Sequence, residues 1–168
     1  ASADLPDGTL AFALGGSPVA LAGGALAGAG QALVAQRDAR AGLDVLALNL
    51  VSAVNTAQAA GATPAGAAGM PFFAGTGAAD LAVVLADGSG LATAPAGSGP
   101  QSRSTANLDA LRAALAGSGG PTAQADALLT GLSQAVAGRS VTREVLATVA
   151  ESAASALRAE TAVDLDAE

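Results

Sequence analysis

Apolar and polar positions along this chain alternate between two periods. Leu10, Phe12 and Leu14 alternate with Ala11 and Ala13, the period of a strand. Gly15-Gly16-Ser17-Pro18 is a turn signal, and Val19-Ala20-Leu21 is a short returning strand, so a hairpin is predicted. Residues 1–30 read as this hairpin with a Gly-rich segment behind it, where Gly23, Gly24 and Gly28 argue against regular helix. From Gln31 the period becomes helical. Leu43, Leu46, Leu50, Val54 and Ala57 recur at intervals of 3, 4, 4 and 3, which keeps them on one side of a helix predicted over 31–60. Val45, Leu48 and Val51 widen that face, and such a helix wants neighbours on more than one side. Gly42 marks a bend or a close approach, and Gly61 is the expected stop.

Residues 61–104 lose helical periodicity. GATPAGAAGMPFFAGTG is a loop that carries a compact apolar cluster, Met70, Pro71, Phe72 and Phe73. Phe72 and Phe73 are expected either to plug the open end of a helical pair or to anchor a neighbouring protein. Asp80 to Leu85 is the clearest strand, ended by the turn Asp87-Gly88-Ser89-Gly90. Over 105–160 the helical period returns. Asn107 is a candidate cap for a short helix carrying Leu108, Leu111 and Leu115, and Gly117 to Pro121 breaks it. A long helix then runs from a candidate cap at Thr122. Its apolar face is Ala125, Leu128, Leu129, Leu132 and Val136, continued by Val141, Val145, Leu146, Val149, Ala153 and Leu157. Gly138 interrupts or dimples it, and residues 161–168 leave the pattern as an acidic exit segment.

The fold class that follows is mainly α, an elongated antiparallel helical bundle with a small β-hairpin and β-element region (α+β). The two long helices are expected to clasp through Leu43, Leu46, Leu50 and Val54 on one side and Leu128, Leu132, Val136, Val145 and Val149 on the other.

Composition sharpens the picture. The 168 residues include no His, Cys, Trp or Tyr, one Met and three Phe. Charged residues are 12% of the chain, against about a quarter in ordinary soluble domains. A core of Ala, Leu and Val gains little area per residue at ~25 cal/mol per Å², so close helix approach must supply the contacts. The net charge is −7, and the seven basic residues are all Arg and scattered, which disfavours nucleic acid and an anionic membrane surface. No apolar run is long enough to span a bilayer, and no signal-peptide layout opens the chain.

Candidate chemistry is thin. Without His or Lys, neither a Ser–His–Asp triad nor a Ser–Lys pair can be built, so Ser17, Ser52 and Ser155 have no base. Gly23 to Gly28 lacks the lysine of a phosphate-binding loop. Paired carboxylates remain for glycan hydrolysis, with Asp38 and Asp44 the best pair and Asp80 and Asp87 next. Asp38 reads more simply as the partner of Arg37 or Arg40. Glu160, Asp164, Asp166 and Glu168 lack the spacing of a Ca²⁺ loop and read as a solvated tail. No catalytic, cofactor or metal site is assigned, and no enzyme activity is expected.

The order of short motifs resembles the middle-to-late part of the bacterial flagellar hook-associated protein 1 family. Asp7-Gly8-Thr9-Leu10 with the turn at Gly16 and Pro18 is similar to its opening strand-turn segment. Gly23 to Gly28 resembles its "GGxLG" element, and Leu33-Val34-Ala35-Gln36-Arg37-Asp38 its "L…RD" step. Leu43 through Val54-Asn55 resembles "LD.LA..L…VN", and Gly66, Gly69, Phe72 and Phe73 resemble "G..G..FF". Leu91-Ala92-Thr93-Ala94, Asn107-Leu108-Asp109-Ala110-Leu111 and Val163 to Glu168 continue the order as "IA.A", "N…AL..L" and "VNLDEE". Gln58 stands where that family often has a histidine, Thr63-Pro64-Ala65 replaces "DLN", and Asp164 replaces the Asn.

The resemblance implies a structural part of the flagellum, outside the cell, exported by the flagellar type III route and joining hook to filament. The implied partners are copies of itself in a ring, the hook protein, the adjacent junction protein, and an export chaperone acting through the C-terminus. The chain reads as a core fragment without the family's terminal helices. Two other readings stand beside it: another extracellular assembly or adhesion module, flagellin-like or autotransporter-like, and a carboxylate-based cell-wall glycan hydrolase.

Overall fold

A computed structural model describes residues 2–161, and the expected exit segment over 162–168 lies outside them. The chain is mainly α with minor antiparallel β, as the patterning predicts. It divides into two compact units, residues 1–128 and 129–168.

The first unit opens with β1 (Ser2–Asp4), β2 (Leu10–Leu14) and β3 (Ser17–Pro18), an antiparallel sheet in the order β1-β2-β3. Ser2 faces Phe12, Asp4 faces Leu10, and Leu14 faces Ser17. The predicted hairpin is present, but its returning strand is Ser17–Pro18, within the expected turn, and not Val19–Leu21; β1 adds a further strand ahead of it. Gly15 and Gly16 both have positive φ, 57° and 84°, the two-residue turn whose twist suits a hairpin. Leu10 and Phe12 are half-buried, whereas Leu14 is exposed.

Helix α1 runs Gly24–Ala59, seven residues earlier than the period over 31–60 predicts. Gly24, Gly28 and Gly30 each weaken a helix by about 1 kcal/mol relative to Ala. Ala25, Leu26, Ala27 and Ala29 stand between them and favour it. A Cβ on Gly30 would lie 3.4 Å from the Phe12 ring, so this glycine marks where the hairpin docks. Gly42 has a similar role: Leu128 Cδ1 would lie 2.8 Å from a Cβ there. The alternative of a bend gives way to close packing.

After α1 come β4 (Gly61–Ala62), β5 (Phe73–Ala74), β6 (Ala82–Val83) and β7 (Ala94–Pro95). β4 pairs with β7 and β5 with β6, both antiparallel. The strand expected over Asp80–Leu85 shrinks to two residues because Asp80 is used as a loop cap. Helix α2 (Ala106–Ala116) packs on α1, and α3 (Pro121–Thr161) starts one residue before the expected cap Thr122. Pro121 leads α3, a position where its missing N–H costs nothing. Gly138 lies inside α3 without interrupting it.

Among the described residues, the buried apolar side chains are Val54 and the alanines 27, 47, 62, 92 and 94. The core is built from methyl groups, as the composition requires.

Among the described residues, the second unit is the remainder of α3. Every described residue from Leu129 onward is exposed.

Candidate functional site

The polar side chains with the most structural work lie on the C-terminal half of α1. Asn55 and Gln58 are three residues apart and so share a face. Asn55 Oδ1 accepts from the backbone N–H of Phe72 (2.8 Å) and of Phe73 (3.1 Å), while its Nδ2 donates to the Phe73 carbonyl at 2.8 Å. One amide therefore stands in for a strand partner along the edge of β5. The Phe72 and Phe73 rings meet edge to face at 4.7 Å, both half-buried. They pack where Asn55 holds their backbone on the side of α1.

Gln58 is 2% exposed, and its Oε1 accepts from Ala92 N–H at 2.8 Å. That N–H requires an acceptor, which fixes the orientation of the amide and leaves Nε2 without a hydrogen-bond partner. Asn107, 7% exposed, donates from Nδ2 to the Ala57 carbonyl (3.0 Å) and the Ala92 carbonyl (2.8 Å). It does not cap α2 as expected: it is the helix's second residue, and Thr105 precedes the helix without a side-chain cap bond. Its side chain instead ties the end of α1 to the strand-poor segment before β7. A Cβ on Gly61 would collide with the Asn107 amide and lie 2.8 Å from Ala92 Cβ. Gly61 therefore admits Asn107 to the end of the helix.

Of the carboxylates proposed as pairs, Asp44, Asp80 and Asp87 are engaged with backbone and Asp38 with the Arg37 side chain. Asp44 Oδ1 accepts from Ala78 N–H at 2.8 Å, and Asp80 accepts from the N–H groups of Thr76 and Gly77. Asp44 and Asp80 thus cap consecutive amides of one loop, a pairing different from the two the spacing suggests. The Thr76 N–H and hydroxyl hold the Asp80 carboxyl below its ordinary value. Asp87 is lowered by the Ser89 hydroxyl and N–H. Asp38 bonds Arg37 at 2.8 Å, and Arg37 also reaches Asp7 at 3.0 Å, joining the loop between β1 and β2 to α1. Thr9, first through its hydroxyl and then its N–H, with Arg37, brings Asp7 down to about 2.

Two of the open grooves among the described residues lie in the first unit. One, of about 470 Å³, is bounded by Asn49, Ser52 and the turn Gly117–Pro121; across it Asn49 Nδ2 donates to Gln124 Oε1 at 2.6 Å. The other, of about 440 Å³, lies between Met70, Pro71, Val84 and Leu85, with Asp87 at its rim. Neither is lined by two carboxylates. Among the described residues, no three His, Cys, Asp or Glu side chains gather as a metal group. No helix there is long and apolar enough to cross a membrane.

The residues expected to clasp the two helices differ in burial. Val54 is buried, Leu46, Leu50 and Leu128 are half-buried, and Leu43 is exposed. Leu132, Val136, Val145 and Val149 are 39% to 68% exposed. Helical period identifies an apolar face but not what covers it, and here the covered part of α1 is covered by loop, α2 and the first turns of α3. The clamp formed by Asn55, Gln58 and Asn107 was hidden in residues read as a helix end and a cap. Its one visible signal is a pair of amides at i and i+3 beside the buried Val54.

Comparison of this chain with known protein families, with curated proteins and with solved structures finds no match in any of the three.

Proposed function

We propose that this chain is a structural part of the bacterial flagellum, from a subunit of the ring that joins hook to filament outside the cell. The observation that carries the proposal is where the family-like motifs meet. The segments that resemble that family are far apart in sequence, yet polar side chains of one bond side-chain or backbone groups of another. Asp7 of the opening motif pairs with Arg37 of the "L…RD" step. Asn55, which ends the "VN" run, holds the Phe72-Phe73 pair. Asn107, which opens the "N…AL..L" run, holds Ala57 and the Ala92 step. Motifs so connected have a structural reason to occur together and in order.

The mechanism is mechanical. Alanine-lined contacts let backbone elements approach closely, and side-chain amides lock the long loop to α1, leaving little slack when load passes along the helix. Copies of the chain, the hook protein and the adjacent junction protein are the proposed neighbours.

Gene deletion in the source bacterium, with immunogold labelling of the full-length protein, tests this. Loss of swimming, with label at the base of the filament, is expected. Normal swimming in the deletion strain, or label confined to the cell wall, would overturn the proposal.

A further inference from the structure

We draw no further inference here: the strongest candidate, the apolar face that Leu146, Val149 and Leu157 leave exposed along the second half of α3, carries no proposal because nothing in the structure shows what covers it.

Discussion

Asn107 spends both hydrogens of one amide on carbonyls of two separate segments, and nothing apolar can replace that. Asn107→Leu removes a bond to a buried carbonyl and one to a half-buried carbonyl and is expected to lower stability by about 2–3 kcal/mol in urea denaturation. Gln58 differs, because it makes one bond and carries one orphan N–H. Gln58→Met loses the bond to Ala92 but also removes the orphan, so its cost is expected to be at least about 1 kcal/mol smaller. Equal losses would mean that Nε2 is satisfied after all. Gly61→Ala is expected to cost about 1–3 kcal/mol through overpacking, since Asn107 and Ala92 occupy the space of its Cβ. A thermal midpoint unchanged from the parent would contradict that crowding.

At the scale of elements, α1 is the scaffold and the long loop is bound to it by side chains more than by sheet. Asn55→Ala removes three hydrogen bonds to the backbone of Phe72 and Phe73. The Phe72 and Phe73 amides are then expected to exchange with solvent at least about tenfold faster, while those of 47–54 keep their protection. Parallel loss at both places would mean that Asn55 supports α1 itself. Within the parent chain, amides of 129–161 are expected to exchange faster than those of 46–58, because that part of α3 is exposed on every side. Similar protection in both would show that the face is covered in solution. Helix positions and the hairpin were legible from period and turn residues. The early start of α1 was not, since glycine propensity is a weak local cost that alanine neighbours and the docked Phe12 offset. The Asp80 segment misled because its continuous apolar run reads as strand while its carboxylate is committed to the preceding turn.

For the whole molecule, absence of His and Cys leaves no side chain with an ordinary titration between pH 5 and 8. Asp7, Asp80 and Asp87 are all held below their ordinary 3.8 in the folded chain. A lowered carboxyl favours the fold above its unfolded value, and that contribution is lost as pH falls through the folded one. Stability is therefore expected to be level from about pH 5 to 9 and to decline below about pH 4, continuing toward the Asp7 value of about 2. Asp7→Asn should shrink the acid decline; a denaturation midpoint that varies between pH 6 and 8 would contradict the scheme. Circular dichroism is expected to show about half the residues helical, above the roughly one-third of ordinary domains, and a value below a third would remove the architecture described here.

Period and composition alone decided that this protein is helical, poor in catalytic groups, and cored by small side chains. Those are local or additive properties: a stripe of leucines states its own helix, and a missing residue type needs no coordinates. Folding decided which stripes are buried, and it chose the loop-facing side of α1 over the second half of α3. It also decided that the amides of Asn55, Gln58 and Asn107, unremarkable in period, would carry bonds to segments distant along the chain. Burial and hydrogen bonding belong to pairs of groups, and a pair exists only once the chain has brought its members together.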